Sequence, residues 1–305
     1  MLDLHRLRLL REVHARGTVS AAAAALGYST SSVSQQLSVL EREAGAMLLE
    51  KVGRNVRVTQ AGLVLVQHAD SLLAGVEAAE AELAEVASGR VSGLVRVAAF
   101  QSALLRVVAP AVRALAASHP GLRVEVTESE VEDSVPRLRL QQLDVVVGDE
   151  YAEQPRPVHD GLHREVLIDE PINLVLPADH PAAGADTVQL AGLASMPWAA
   201  CQPGTGHHQM QLRVCRQLGG FEPDIRYTSD DFLILMELAR TTGSATLLPD
   251  LVHAQDAPGV VVRSLAEGDI GRQVYLLTRA SSPPTVRVVA DALHAAATEE
   301  RSRGS

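Results

Sequence analysis

Residues 18–62 read TVSAAAAALGYSTSSVSQQLSVLEREAGAMLLEKVGRNVRVTQAG. The alanine run ending at Leu26 is a strong helix former and is small enough for close helix packing. Ser20 is placed to cap this helix. Gly27 is placed to stop it, because glycine tolerates the left-handed conformation past a helix end. Tyr28 fills the turn, and Ser29 or Ser31 caps a second helix running to about Ala44. Val33, Leu37 and Leu40 recur at helical spacing and form its buried stripe. The other positions, Thr30, Ser31, Ser32, Ser34, Gln35, Gln36 and Ser38, are short, uncharged and rich in hydrogen-bonding groups. Glutamine matches the edge of adenine, and serine or threonine can bond several bases or a phosphate. Two helices joined by a tight turn place the second in a DNA major groove.

The flanks extend this reading. Upstream, Leu4, Leu7, Leu10 and Val13 define an amphipathic helix that can cover the motif. Downstream, two short apolar runs surround Gly53-Arg54-Asn55, the pattern of a hairpin. Lys51, Arg54 and Arg57 lie along it, where cations suit phosphates or a narrow minor groove. A polar Ser/Gln helix alone would be no more than a solvated face. Helix, turn, helix and basic hairpin in this order describe a reader of double-stranded DNA.

Beyond Gly62 a long helical pattern begins. Leu65, Ala69, Leu72, Val76, Ala79, Leu83 and Val86 alternate steps of four and three, a coiled-coil seam flanked by acidic residues. The plainer use of such a stripe is packing on its own domain. Between two domains, a seam this regular suits pairing with a second copy. Residues 88–93, rich in Ser and Gly, then form a joint. The expected division is a DNA-binding domain over 1–60, a dimerising helix over 61–87, a joint over 88–93 and a body over 94–305.

In the body, strands alternate with helices: Leu94–Phe100, Ser102–Ser118, Leu122–Thr127, Val131–Gln142 and Asp144–Gly148, with a similar series from Pro171 onward. Alternation of this kind implies an α/β fold, a parallel sheet covered by helices on both faces. Crossings near Leu162–Ile168 and Val260–Leu265 divide it into two Rossmann-like lobes, one of about 94–165 with 266–305, the other of about 166–265. Ligands of open α/β sheets sit beyond the carboxyl ends of strands. That rule selects Phe100, Gln101, Ser102, Glu128 to Glu130, Asp149, Gln202 to His207 including Thr205, Thr228 to Asp230, and Ser244. Helix starts at Ser102 and Thr205 favour an anion, so a small carboxylate-bearing metabolite is the first expectation. Glu128, Glu130, Asp149 and Asp230 favour instead an amine or a neutral polar ligand, and both classes stay open.

Charge is unevenly spread. The chain of 305 residues carries −10 overall, yet residues 1–60 hold eight basic and five acidic side chains, leaving −13 for the remainder. A basic head on an acidic body orients a protein on DNA. No apolar run approaches the roughly 18 residues that a membrane span needs. Arg6, Arg8 and Arg11 interrupt any secretory pattern, so a soluble, cytoplasmic protein is expected. Cys201 and Cys215, the only cysteines, suit neither a disulfide framework nor a zinc site. Adjacent histidines on a helix point apart, so His207-His208 indicates no metal. No cofactor is expected.

The N-terminal residues resemble the winged helix-turn-helix of LysR-type transcriptional regulators. The resemblance rests on the Leu-rich opening helix, the alanine helix, Ser34 and Gln36 with Leu37, Leu40-Glu41, Leu48-Leu49-Glu50 and Thr59-Gln60-Ala61-Gly62, and it continues more weakly along nearly the whole chain. Where many members carry Gln-Pro-Ala after the capping serine, this chain has Thr30-Ser31-Ser32, and the commonly basic position after Ser34 is Gln35. The resemblance implies an effector body like a periplasmic binding protein, a homodimer or homotetramer on an inverted repeat, and contact with RNA polymerase. The plain reading of the cysteines is two reduced thiols; the resemblance raises beside it a redox role, as in peroxide-sensing members. Two other classes compete. An enzyme on the α/β body would need a phosphate loop, nucleophile elbow or metal motif, and none is found. A structural DNA-bridging protein would show no response to a metabolite.

Overall fold

The computed structural model describes residues 1–52, 55–88, 91–152, 154–157, 161–280 and 282–304. Contacts divide the chain near residues 90–91 into an N-terminal unit and a body.

The N-terminal unit opens with helices α1 (Leu4–Arg16), α2 (Val19–Leu26) and α3 (Thr30–Ala44). Asp3 caps α1 and Ser29 caps α3. The cap of α2 is Thr18, not Ser20: the Thr18 hydroxyl accepts from Ala21 N at 3.1 Å. The helix starts two residues earlier than the alanine run suggests, which puts Ser20 inside its first turn. All three helices end on glycines in the left-handed region, Gly17, Gly27 and Gly45. Leu7, Leu10, Val13, Ala22, Ala23, Val33, Leu37 and Leu40 make one buried core.

A two-stranded antiparallel hairpin follows, β1 (Leu49–Val52) and β2 (Asn55–Val58), registered from Leu49 opposite Val58 to Val52 opposite Asn55. Its base is fixed to α3 and to the next helix. Glu41 Oε1 accepts from the backbone N–H groups of Leu48 and Leu49 at 2.9 and 3.1 Å. Thr59 donates its hydroxyl to Met47 O and accepts from Gly62 N. A Cβ on Gly62 would lie 2.4 Å from Leu48 O, so only glycine fits there. These contacts account for the Leu40-Glu41, Leu48-Leu49 and Thr59-to-Gly62 pattern.

Helix α4 spans Gln60–Ser88. Ala69 is buried and Leu65 partly buried in the N-terminal core, beside Val66. The start of the proposed seam thus closes this unit's own core, because Val66 adds a second apolar position on the same face. Further along, Leu72, Val76 and Leu83 are exposed, Leu83 at 70%.

The body holds an eight-stranded mixed sheet, not the purely parallel one expected. Its members are β3 (Gly93–Ala99), β4 (Leu122–Glu128), β5 (Val145–Tyr151), β6 (Leu162–Pro177), β7 (Thr187–Val188), β10 (Thr246–Pro249), β11 (Val260–Leu265) and β12 (Ile270–Arg279). The order is β4-β3-β5-β12-β6-β11-β7, with β10 also pairing β6. Strands β3, β4 and β5 are parallel, while β12 runs antiparallel to both β5 and β6. A separate parallel pair, β8 (Pro197–Ala200) and β9 (Asp224–Thr228), completes the second lobe.

The crossings differ from expectation. β6 is one unbroken strand of 16 residues rather than two elements split before Pro171. Val260–Leu265 does not cross back: it pairs within the second lobe, Val260 opposite Pro177 and Arg263 opposite Leu174. The returning strand is β12, paired with β6 along its whole length. Pro171 is accommodated where the chain passes between lobes.

Helices cover both faces. In the first lobe, Val95, Val97, Val145, Val147, Val274 and Leu276 pack with α6 (Ala109–Ser118) and α10 (Pro284–Gly304). On the opposite face, Ala98, Val146, Tyr275 and Leu277 pack with α7 (Val131–Arg139). In the second lobe Leu174 and Leu176 face α8 (Gly206–Gln217) and Val175 faces α9 (Phe232–Thr242). Strands buried on both faces read as continuous apolar runs. A short helical turn, α5 (Gln101–Ala103), leads through a π-turn (Leu104–Val108) into α6. No described helix is long and apolar enough to cross a membrane, and no described cluster of His, Cys, Asp and Glu could hold a metal.

Candidate functional site

On α3, Val33, Leu37 and Leu40 are buried, while Thr30, Ser31, Ser32, Ser34, Gln35 and Ser38 are exposed. Ser29 is occupied as the cap, and Ser38 Oγ donates to Ser34 O at 3.1 Å. Gln35 makes no side-chain hydrogen bond among the described residues. Gln36 differs: it is half-buried, and its Oε1 accepts from Arg6 Nη1 at 3.1 Å. The same guanidinium grips Glu43 at 2.7 and 3.1 Å, so Arg6 ties α1 to α3. Sequence reasoning missed that link because its partners lie 30 and 37 residues away. In the hairpin, Glu50 and Arg57 are cross-strand neighbours, and Arg57 Nε donates to Glu50 Oε1 at 2.7 Å. Arg54 and the side chain of Lys51 lie outside the described residues.

In the body, a narrow cleft opens where β6 and β12 pass between lobes. It is lined by Phe100, Gln101, Glu130, Asp149, Tyr151, Cys201, Thr205, Gly206, His207, Asp230, Phe232 and Arg272. Its free volume is about 10 Å³, the space one water requires. Arg272 forms part of its wall. Its side chain is fully buried, donates to Glu170 Oε1 at 2.6 and 2.9 Å, to Asp149 Oδ2 at 3.3 Å and to Ser102 Oγ at 3.1 Å, and lies over Phe100. Glu170 stands opposite Arg272 in the β6–β12 register, and its other oxygen accepts from Leu251 N. Burial opposes the charge on Arg272, but Glu170 and Asp149 raise its pKa overall.

Of the positions selected by the strand-end rule, Phe100, Gln101, Glu130, Asp149, Thr205, Gly206, His207 and Asp230 line the cleft. Ser102 sits one layer behind, holding Arg272. Thr205 spends its hydroxyl capping α8. Glu128, Gln202 and Thr228 are exposed and outside the lining, although Glu130, Cys201, Thr205 and Asp230 beside them line it. Ser244 is wholly buried and pairs with Thr242. Tyr151, Cys201, Phe232 and Arg272 line the cleft without having been selected. The available signal for Arg272 was an arginine within an otherwise apolar strand.

Several groups here are electrostatically distorted. Burial raises Glu130 to about 7, reinforced by Asp149, Glu132 and Asp230. Burial lowers His207 to about 3, so its ring is neutral; its Nε2 lies 2.8 Å from Leu247 O and must carry the proton. Cys201 and Cys215 are buried in separate cores. Burial holds the thiol of Cys201 well above its usual value and pushes Cys215 up to about 12. Neither is an activated thiolate.

A winged helix-turn-helix joined to a two-lobed α/β body defines the class of ligand-responsive DNA-binding regulators. Residues 4–63 match the family "Bacterial regulatory helix-turn-helix protein, lysR family", and residues 88–298 match "LysR substrate binding domain". The chain belongs to the LysR family of transcriptional regulators. The transcriptional regulator MetR of Salmonella typhimurium is 27% identical, covering 92% of this chain and 85% of that protein. A probable hydrogen peroxide-inducible genes activator of Mycobacterium avium is 32% identical, covering 90% of this chain and 88% of its own. The crystal structure of full-length CbnR complexed with its target DNA superposes with a TM-score of 0.69 at 20% identity, covering 97% of this chain and all of that one. That last likeness bears on the fold.

Proposed function

We propose that this regulator reads an inverted repeat of double-stranded DNA through two copies of α3 and answers a small-molecule effector in the inter-lobe cleft. Thr30, Ser31, Ser32, Ser34, Gln35 and Ser38 face the bases, with Gln36 held at the edge by Arg6. Lys51, Arg54 and Arg57 hold the backbone. The protein acts in the cytoplasm as a homodimer or homotetramer, without catalysis, and passes its signal to RNA polymerase. The domain division is 1–60, 61–87, 88–93 and 94–305. The observation that carries the reading is the segregation of α3: three apolar side chains buried on one side and an uncharged polar array exposed on the other.

Selection from a random duplex pool tests it. Gln35→Ala is expected to change preference at one or two positions per half-site, at roughly 1–3 kcal/mol for a lost bidentate contact. Arg57→Ala is expected to weaken all sequences alike and to reduce the salt slope by about one. Identical losses on every sequence for both variants would contradict the division between base-reading and backbone residues.

A further inference from the structure

We propose that the inter-lobe cleft takes a small cationic effector, an amine or guanidinium compound, between Glu130, Asp230, Gln101 and His207; this rests on the reading of the cleft as the effector site. The first support is the disposition of charge. The two arginines near the cleft are already engaged. Arg272 is spent on Glu170, Asp149 and Ser102. Arg156 is spent on Glu132, Asp149 and the Asp149 carbonyl. The carboxyl of Glu130 makes no ion pair or hydrogen bond among the described residues, and Asp230 accepts only from Gln202 N. An incoming carboxylate would meet both of them and would have to take Arg272 from two buried partners.

The second support is independent of the acids. Gln101 is nine-tenths buried and lines the cleft. Its Nε2 donates to Asp231 Oδ1 at 3.1 Å, which fixes the amide orientation, since a carboxylate only accepts. Its Oε1 is buried and has no partner. His207 is 4% exposed and also lines the cleft. With the proton on Nε2, its Nδ1 is a bare acceptor, and it too is buried without a partner. Buried acceptors left unmatched are costly. Two acceptors and two carboxylates in one cleft call for a ligand rich in N–H donors. The free space is too small for it in this form, so binding must part the lobes and is therefore coupled to their arrangement.

The test uses the full-length protein with agmatine, putrescine and L-arginine against succinate and benzoate, by calorimetry and thermal shift. The expected result is saturable binding of the cations alone. The double variant Glu130→Gln, Asp230→Asn should lose about tenfold or more in affinity for them, with an unchanged circular dichroism spectrum; Glu130→Gln alone gives the same reading in milder form. Agmatine affinity should climb between about pH 6 and pH 8. Glu130, facing Asp149, Glu132, Asp230 and Arg156, ionises in that window. Binding of the dicarboxylate alone, abolished by Arg272→Met, would overturn the cationic assignment while leaving the cleft as the effector site. Cation binding indifferent to the double variant would place the site elsewhere and overturn both readings. Absence of binding by every cation would overturn the assignment.

Discussion

Arg272 carries a full charge into a place that solvent does not reach, and three partners from three elements make this tolerable. Removing one member of a buried ion pair leaves the other unpaired, which typically costs about 3–5 kcal/mol. Arg272→Met is therefore expected to lower stability by that order, read from urea unfolding. A loss below about 1 kcal/mol would show that Glu170 and Asp149 find other partners or take up protons. At the other end of the chain, Thr18→Ala is expected to cost about 1 kcal/mol of N-terminal stability through the lost cap. Ser20→Ala should be nearly neutral. The opposite order would restore Ser20 as the cap. Neither role could be read from local sequence with the same ease. Threonine and serine two residues apart both cap well, and only the first backbone turn decides between them. Arg272 finds Glu170 and Asp149 across 102 and 123 residues, a separation over which no spacing rule operates.

Elements written into consecutive residues were legible. The turn at Gly27, the length of α3 and the pairing of β1 with β2 follow from capping, periodicity and punctuation within a few residues. Elements defined by pairing were not. β6 looked like two strands because Asp169-Glu170-Pro171 interrupts its apolar run; in the sheet, Glu170 is buried against Arg272 of β12, Asp169 accepts from Gln273 and Pro171 is exposed. β11 and β12 have similar composition, and only register shows that β12 returns to the first lobe. The ligand rule found the right strand ends: within the runs it selected, Glu130, Thr205 and Asp230 line the cleft, while Glu128, Gln202 and Thr228 lie outside it. Helix α4 belongs to both groups. Its first turns close the N-terminal core through Val66 and Ala69, leaving Leu72, Val76 and Leu83 exposed. We expect these to face a second copy. Leu72→Glu with Leu83→Glu would bury charge in the pair, so sedimentation should show monomers where the unmodified chain is at least dimeric. An unmodified chain that sediments as a monomer at micromolar concentration would refute the pairing.

For the whole molecule, two statements must hold together: α3 reads DNA, and two copies of it read as one unit. A ligand in the cleft can alter DNA binding only by favouring one of two arrangements of the body. The consequence at the DNA is a change in the spacing or bend of two half-sites rather than in single base contacts. Dimeric helix-turn-helix proteins bind half-sites about one helical turn of 10–10.5 base pairs, or a multiple of it, apart. The most direct measurement is hydroxyl-radical footprinting of the full-length protein on its selected site, compared with the same site carrying an insertion of about 5 base pairs, half a turn, between half-sites. The account predicts two protected patches on one face of the original duplex, and loss of joint protection on the altered one, with binding recovered when a full turn is inserted. Equal protection of both duplexes, or a single patch without symmetry, would contradict it.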